Sequence, residues 1–288
     1  MLNYAVVRHW QSPEIRQTYT AKDAMLYALG LGLGQDPMDR DQLRFVTEND
    51  LRVLPTMAAV LAYPGFWMRE VKEAGIDFVK LVHGEQSVVL HAPLPPGGNV
   101  SGVSRVLRVV DKGAGKGALV TVEKKILNAD TGAPLATCES VVFLRGDGGF
   151  SANGGGDPAG EPPKATPDTA PEFTLDLQTR PEQALIYRLS GAYNPLHSDP
   201  DVAAKAGFPK PILHGLATYG LACHGLVKLF CGYDPARLKS IRARFSAPTF
   251  PGDLIRLECW KSGDEIAFCA RVPARDATVL SHGHATIG

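Results

Sequence analysis

The sequence predicts an α+β protein in which one structural unit occurs twice. In each half of the 288-residue chain, a predicted helical region is followed by several predicted strands. Helices followed by consecutive strands are typical of an antiparallel sheet with helices packed on one face. The length exceeds that of a usual single domain. We therefore expect two domains that arose by duplication of one α+β unit.

The N-terminal half begins with a predicted helix over residues 20–33. Thr20 can cap this helix, and apolar residues recur after it at helical spacing. Shorter helical pieces are expected at residues 55–61 and 65–74, on either side of a Tyr-Pro-Gly break. Apolar runs between turn-forming segments then predict four strands, at residues 87–91, 100–110, 118–127 and 134–144.

A segment rich in glycine and proline separates the two halves. Residues 146–171 contain few large apolar side chains and cannot bury enough surface to fold alone, so we interpret this segment as a linker. We place the domains at residues 1–150 and 172–288, with the linker proper at 151–171.

The C-terminal half repeats the order of elements. The predicted elements are a strand at 173–177, helices at 181–189 and 213–230, and strands at 240–245, 253–261, 266–272 and 279–286. The long second helix has one apolar face, on which Ala217 and Gly220 are small. We expect these two residues to let a curved sheet wrap closely around the helix.

Composition excludes several classes of protein. Thirty basic and thirty acidic residues give zero net charge, which argues against a dedicated nucleic-acid or membrane surface. The five cysteines form no Cys-x-x-Cys pair, as expected for free, mostly buried thiols in a reducing compartment. No secretory signal and no apolar run of roughly 20 residues is present. We expect a cytoplasmic protein.

Two polar corners within residues 187–219 can face one small reacting centre. The first is the turn 191–197, whose glycine, asparagine and proline hold it in a fixed shape that presents His197. The second is His214-Gly215, at the start of the long predicted helix. Unpaired amides at a helix start favour negative charge and could stabilise an oxyanion. The stretch is typical of an active-site loop.

This stretch resembles the signature of the MaoC-like (R)-specific 2-enoyl-CoA hydratases, also called hydratase 2, in which the turn reads Gly-Asp-x-Asn-Pro-x-His. The likeness includes the downstream segments Ala-Gly-Phe and Lys-Pro-Ile-Leu-His-Gly-Leu. The resemblance implies a hot-dog fold, an antiparallel sheet wrapped around a helix, and two copies would make a double hot dog. It also implies a non-catalytic N-terminal copy that accommodates the acyl chain and a catalytic C-terminal copy.

Hydration of an enoyl thioester requires a polarised carbonyl, an activated water and a proton for C2. The resemblance assigns the Gly215 N–H to the thioester oxygen, His197 and an aspartate to the water, and Asn194 to positioning that water. It implies no metal and no cofactor beyond the CoA of the substrate. Substrate-binding positions implied by the resemblance are His83, Gly84, Lys112, Tyr193 and Phe245.

Simpler interpretations stand beside these assignments. Lys112 also fits a solvated hairpin turn, and Phe245 fits an ordinary core aromatic. Arg242, Arg244 and Lys210 could reach CoA phosphates, but we favour solvated charges at all three positions. His214 also fits a simple brace for the loop, since the functional group would be the neighbouring backbone amide.

The chain departs from the signature at Ala192, which occupies the position of the family's catalytic aspartate. A methyl group neither accepts nor donates a proton, so we expect turnover to fall by about 10² to 10⁴. We favour a deliberate substitution that traps an acyl-CoA, and natural loss of activity is the alternative. Asp199 does not replace the carboxylate, because it is placed to cap the next helix.

The function predicted from the sequence is (R)-specific hydration of 2-enoyl-CoA by a homodimer that binds no nucleic acid and no membrane. The setting would be fatty-acid β-oxidation or the breakdown of a bulky acyl side chain. Two alternatives remain open. A hot-dog thioesterase would hydrolyse the thioester, and a non-catalytic acyl-CoA-binding protein would use the same site without turnover.

Overall fold

A single antiparallel sheet of ten strands carries the structure, a computed structural model that describes residues 2–288. The strands are β1 (Ile15–Tyr19), β2 (Leu81–Leu90), β3 (Gly98–Asp111), β4 (Ala118–Asn128), β5 (Pro134–Leu144), β6 (Phe173–Gln178), β7 (Leu238–Phe245), β8 (Leu254–Ser262), β9 (Glu265–Val272) and β10 (Ala277–Ile287). The α-helices are α1 (Tyr4–Arg8), α2 (Ala21–Gly30), α3 (Arg40–Leu43), α4 (Trp67–Glu70), α5 (Gln183–Tyr187), α6 (Pro200–Lys205) and α7 (Gly215–Cys231).

The two halves of the sheet have the same topology. The strand order is β1-β3-β4-β5-β2-β7-β10-β9-β8-β6. If β6 to β10 are taken as the counterparts of β1 to β5, the second half repeats the first in reverse order across the sheet. The halves are therefore related by a pseudo-two-fold axis at the β2–β7 pair. This is the arrangement that duplication of one unit produces, whereas the exact domain boundaries remain a prediction.

Most of the elements predicted from sequence occur. The helix after Thr20, the N-terminal strands and all five C-terminal strands lie where their patterns placed them. β2 begins at Leu81, six residues before the predicted start at 87, because the polar residues and the glycine at 83–86 interrupt its apolar pattern. The helix α1 and the strand β1 were not predicted. β1 is a short edge strand with alternate exposed polar residues, so it lacks a strong apolar signal.

The long C-terminal helix is enclosed on all sides. Every residue of α7 from Ala217 to Val227 is buried. A side chain added at Gly225 would place its Cβ 2.6 Å from Leu257 on β8, so this glycine allows the close approach of the sheet. The corresponding expectation for Gly220 was wrong, since its Cβ would lie 2.6 Å from Leu31, directly after α2. Gly220 makes room for the N-terminal half of the chain.

Within residues 2–150, no helix is as long as α7. At the equivalent point between its first two strands, the N-terminal half forms the 3-10 helix Pro55–Ala59, of only five residues. The buried amine of Lys124 on β4 donates hydrogen bonds to the carbonyl oxygens of Ala59, at 2.9 Å, and Leu61. These bonds satisfy backbone acceptors that a continuing helix would have paired.

An ion-paired seam joins the halves. β2 and β7 pair antiparallel from Glu85 opposite Arg244 to Val89 opposite Ser240. The carboxylate of Glu85 accepts hydrogen bonds from Arg242 and, at 2.8 Å, from Arg244. Burial opposes ionisation of Glu85, but these two guanidinium groups outweigh it and hold its pKa below the usual value. The two arginine side chains are 43% and 39% exposed, as expected for solvated charges, but the sequence did not predict that they also share an ion pair with Glu85.

The connection between the halves is extended but anchored. Asp157 accepts from the Val109 N–H at 2.8 Å and from the Tyr4 hydroxyl at 3.0 Å, which fixes it to the N-terminal half. Further on, the Trp260 indole N–H donates to the carbonyl oxygen of Thr169 at 3.0 Å on the C-terminal half. The segment thus lacks strands, as predicted, yet it is held at both ends.

The cysteines agree with the prediction, because all five are free and buried. None of the helices in residues 2–288 is long and apolar enough to cross a membrane.

Candidate active site

The signature turn has a rigid local structure. Gly191 adopts a φ of 102°, which glycine tolerates without strain. The Asn194 side chain accepts from the Leu196 N–H at 3.0 Å, and a 3-10 turn over Pro195–His197 follows. The prediction for Asp199 is confirmed, since its carboxylate accepts from two amides at the start of α6. The turn therefore holds His197 in one position.

The His197 ring is oriented by the backbone. Its Nδ1 lies 2.9 Å from the carbonyl oxygen of Ile212, which can only accept, so Nδ1 carries the proton. Burial lowers the pKa of His197 below its usual value. The imidazole is therefore neutral near pH 7, and its Nε2 lone pair is available as a base.

His214 connects the turn to the start of α7. Its ring stacks on that of His197 with centroids 3.7 Å apart, and its Nε2 donates to the carbonyl oxygen of Ala192 at 2.9 Å. Burial, the nearby His197 and Arg188 lower the pKa of His214 to about 3, against the effect of its hydrogen bond. A neutral His214 thus braces the loop, and this contact brings Ala192, His197 and Gly215 into one site.

Gly215 opens α7 beside an aromatic wall. The residue is exposed, and no side chain caps the helix there. A Cβ at Gly215 would lie 3.2 Å from the Phe245 ring, and Phe245 in turn lies 4.8 Å from the His83 ring between centroids. The start of α7, where a 17-residue helix has its unpaired amides and the positive end of its dipole, therefore lies beside this wall.

The N-terminal half contributes His83 and Gly84 from the start of β2. The β2–β5 register shifts between His83 and Glu85, which marks a bulge at Gly84. His83 Nε2 donates to the Glu85 carbonyl oxygen at 3.1 Å, and burial lowers the pKa of His83 to about 4. His83 is therefore a neutral, fixed part of the wall that Phe245 and Gly215 complete.

Three of the residues assigned by resemblance lie outside these contacts. The Lys112 ammonium sits 5.3 Å from the Phe143 ring in the β3–β4 hairpin, two strands away from β2 in the sheet. Tyr193 is 59% exposed, and the Arg188 guanidinium carbon lies 5.1 Å from the centre of its ring. Asn194 is exposed, and its side-chain oxygen serves the turn. Roles for these residues in binding remain predictions.

Sequence reasoning missed the polar groups that precede the turn. Within residues 2–288, Arg188 Nε and Ser190 Oγ are buried atoms without a hydrogen-bond partner. Both lie within the three residues before Gly191, which was the available signal. In the described part of the chain, no cluster of three His, Cys, Asp or Glu side chains is arranged to hold a metal ion.

The chain matches known families in both halves. The MFE-2 hydratase 2 N-terminal domain family matches residues 17–146, and the MaoC-like domain family matches residues 162–281. Enoyl-CoA hydratase ChsH3 of Mycobacterium tuberculosis is 37% identical over 95% of this chain and 94% of its own length. The 3-hydroxyacyl-thioester dehydratase Y of the same organism is 43% identical over 85% of this chain and 82% of its own.

Solved structures agree with these matches. A MaoC-like dehydratase from Phytophthora capsici superimposes with a TM-score of 0.86 and 32% identity, covering 100% of this chain and 99% of that one. Rv0216 of Mycobacterium tuberculosis, described as a double hot-dog fold, superimposes with a TM-score of 0.56 at 12% identity, covering 97% and 96%. The double hot-dog prediction is confirmed. Near-complete coverage by relatives more than 30% identical shows that this chain belongs to the MaoC-like hydratase 2 family.

Proposed function

We propose that this protein binds trans-2-enoyl-CoA and catalyses its reversible, (R)-specific hydration to (3R)-3-hydroxyacyl-CoA. The observation that carries the proposal is that the His197 ring, whose Nε2 is the basic nitrogen, stacks on His214, the residue directly before the free amide end of α7. The two rings have centroids 3.7 Å apart, and a peptide bond joins His214 to Gly215. Relatives named as enoyl-CoA hydratases support this assignment.

The two groups match the two demands of the reaction. When water adds to C3, negative charge develops on the thioester oxygen, and the Gly215 amide with the helix dipole of α7 stabilises that charge. The Nε2 lone pair of His197 accepts a proton from the attacking water. The imidazolium of His197 then gives this proton to C2, which yields the 3-hydroxyacyl thioester and restores the neutral imidazole. This acid–base chemistry uses the CoA ester as it is and needs no additional cofactor.

Ala192 removes one partner from this scheme. The methyl group leaves His197 to act alone, so we expect turnover lower by about 10² to 10⁴ than with a carboxylate at this position. In this scheme, binding depends on the α7 amides and on the wall formed by Phe245 and His83, and not on an acid–base group at position 192. The chain should therefore bind the substrate well and convert it slowly.

We propose that the N-terminal domain, residues 1–150, accommodates the acyl chain. The five-residue 3-10 helix Pro55–Ala59 stands where the C-terminal half has a helix of 17 residues, which supports a wider interior there. His83 extends the same wall from the N-terminal half. A cytoplasmic homodimer acting in the degradation of acyl-CoA esters is the setting we propose, with Lys112 and Tyr193 at the rim of the CoA site.

The test compares the chain with its Ala192→Asp variant on crotonyl-CoA and longer trans-2-enoyl-CoA esters. Hydration should appear or rise by about 10² or more, and chiral analysis should give the 3R product. The matched control is Ala192→Asp combined with His197→Ala, which should be inactive although it binds substrate. A folded Ala192→Asp variant without hydration would contradict the proposal.

Two other outcomes identify the alternatives. Release of free CoA by Ala192→Asp, without loss of the double bond, would indicate a thioesterase. Tight acyl-CoA binding by both forms with no turnover in either would indicate a non-catalytic binding protein, an alternative that Ala192 itself favours.

A further inference from the structure

Tyr187 packs between the histidine pair of the site and the N-terminal half of the chain. It is the last residue of α5 and is completely buried. Its ring centroid lies 5.0 Å from that of His214, which stacks on His197 at 3.7 Å. The same ring lies 5.8 Å from that of Tyr27 on α2. Tyr187 therefore contacts the proposed active site on one side and the N-terminal half on the other.

Helix α2 supports Tyr187 from the N-terminal half. A Cβ added at Gly30 would lie 3.0 Å from the Tyr187 Cα and 3.3 Å from its ring atom Cδ2, so α2 approaches α5 closely there. One turn earlier on α2, the hydroxyl of Tyr27 donates to Thr56 Oγ1 at 3.0 Å, in the 3-10 helix Pro55–Ala59. A close backbone contact and a buried hydrogen bond thus fix the surface on which Tyr187 rests.

The ring of Tyr187 makes these contacts, and its hydroxyl does not. Burial raises the pKa of Tyr187 well above its usual value, so the side chain is uncharged at neutral pH. The hydroxyl lies near Tyr27 but makes no hydrogen bond of normal geometry within residues 2–288. The rings of Tyr187 and His214 are tilted by 51°, and tilted ring pairs with centroids about 4.5–7 Å apart attract each other.

His214 needs this support because one hydrogen bond cannot fix its ring. Nε2 donates to the Ala192 carbonyl oxygen at 2.9 Å, whereas Nδ1 is buried and has no partner within residues 2–288. A ring held at one atom can still turn about that hydrogen bond. Its contacts with the rings of Tyr187 and His197 therefore set the remaining orientation, and the stacked His214 ring in turn covers a face of His197.

We propose that Tyr187 is a positioning residue: its ring, supported by α2, keeps His214 stacked on His197 and so keeps His197 shielded from water. This inference rests on the hydratase function proposed above. It gives the N-terminal half a second role. Besides accommodating the acyl chain, that half sets the position of the base in the other half.

The test compares Tyr187→Leu, which removes the ring, with Tyr187→Phe, which keeps it, both in the Ala192→Asp background. In Tyr187→Leu, His214 can move away from His197, so kcat for crotonyl-CoA hydration should fall by about tenfold or more while KM changes by less than about threefold. Tyr187→Phe should keep kcat within about twofold, because the ring contacts remain.

The pH dependence separates positioning from simple loss of folded protein. His197 must be neutral to accept a proton, so kcat/KM falls on the acid side of its pKa. Burial lowers this pKa, and in Tyr187→Leu water reaches the ring, so the pKa should rise toward about 6.5. The acid limb of kcat/KM should therefore move to higher pH. A variant that only loses folded protein has a lower rate at every pH without this shift.

A second measurement uses the chain with Ala192 and does not depend on activity. In ¹⁵N NMR of the imidazole groups, His197 should carry its proton on Nδ1 and His214 on Nε2, as their hydrogen bonds require. His197→Gln and His214→Gln assign the two signals. In Tyr187→Leu the pKa of His197 should rise and His214 should lose its single tautomer, whereas Tyr187→Phe should match the unmodified chain.

The matched control is Tyr19→Leu. Tyr19 is also a buried tyrosine of the main core, but it lies on β1 at the far edge of the sheet. This variant should lose stability without moving the acid limb or the His197 titration. Gly30→Ala is a second variant if Tyr187→Leu does not fold. Its methyl group displaces Tyr187 from α2 and should move the acid limb in the same direction.

The outcomes separate this inference from the proposed function. If Tyr187→Leu is folded and keeps the acid limb and the His197 titration of Tyr187→Phe, the ring has no positioning role. Equal losses of kcat in both variants would assign the effect to the hydroxyl and overturn the proposal. If Ala192→Asp is itself inactive, the hydratase function fails, and the NMR comparison alone decides whether Tyr187 positions the histidine pair.

Discussion

His214 donates a hydrogen bond from Nε2 to the carbonyl oxygen of Ala192 at 2.9 Å, while its ring stacks on His197. One side chain therefore contacts both the backbone at position 192 and the imidazole of His197, the proposed base. The bond requires the proton on Nε2, and a second proton on Nδ1 would be buried without an acceptor. His214 can perform this role only as the neutral ring.

The first prediction concerns stability at acid pH. Because the pKa of His214 is about 3 in the folded state and about 6.5 when unfolded, the unfolded chain binds more protons between these values. The contribution of the neutral His214 ring to the free energy of unfolding is complete above about pH 6.5 and is lost as the pH falls toward 3. His214→Gln keeps a donor for the Ala192 carbonyl but cannot titrate. The drop in free energy of unfolding from pH 7 to pH 5 should be smaller in this variant by about 2 kcal/mol.

Urea unfolding at the two pH values measures this difference. The control is His9→Gln, which makes the same exchange of histidine for glutamine at an exposed position directly after α1. An equal pH dependence in the unmodified chain and in His214→Gln would show that the pKa of His214 is the same in the folded and the unfolded chain.

The local features of the site could be predicted from sequence, and the long-range ones could not. The turn at Asn194, the cap at Asp199 and the helix α7 follow from short-range rules for turns, caps and periodicity, and all three occur. The contact of Gly220 with Leu31 and the ion pairs of Glu85 depend on how two distant segments meet. Nothing within a few residues of these positions specifies the partner.

The second prediction concerns Gly215. An added methyl group in Gly215→Ala would lie 3.2 Å from the Phe245 ring, which must shift and disturb its contact with His83. In the Ala192→Asp background, hydration should fall by about tenfold or more, because small displacements of reacting groups are costly to rate. Steady-state kinetics with crotonyl-CoA provides the measurement. Adding Phe245→Leu should make room for the methyl group and recover part of the activity, and an unchanged kcat in Gly215→Ala would contradict this role for the close contact.

The third prediction concerns the seam between the halves. Glu85→Gln keeps the shape of the side chain but leaves Arg242 and Arg244 without their shared counter-charge. Breaking a buried ion pair is strongly destabilising, but these guanidinium groups are 43% and 39% exposed, so solvent screening reduces the effect. We expect a loss of about 1–2 kcal/mol in the free energy of unfolding, measured by urea titration.

The control for the seam is Glu123→Gln. Glu123 also pairs with an arginine, Arg105, but both lie on neighbouring strands within the N-terminal half. This variant should lose less than about 1 kcal/mol. If the two variants lose the same stability, the pairing of Glu85 with two arginines contributes nothing beyond an ordinary surface ion pair.

The fourth prediction concerns the buried amine in the N-terminal half. Burial lowers the pKa of Lys124, whose Nζ donates to the carbonyl oxygens of Ala59 and Leu61. Lys124→Met keeps most of the volume and removes the cost of burying the ammonium group, but both acceptors lose their donor. Since each unpaired buried acceptor costs about 1–3 kcal/mol, we expect a net loss of about 2 kcal/mol.

Lys125→Met is the matched control, because Lys125 is the next residue on β4 and is exposed. Its stability should change by less than about 0.5 kcal/mol. Hydrogen exchange should also accelerate at Val60 and Leu61 in Lys124→Met and remain unchanged in Lys125→Met, because these amides donate to Met57 in the last turn beside the lost contact. Equal exchange in both variants would mean that the short 3-10 helix holds its end without the amine. Packing of its side chains alone would then hold the 3-10 helix Pro55–Ala59 in place.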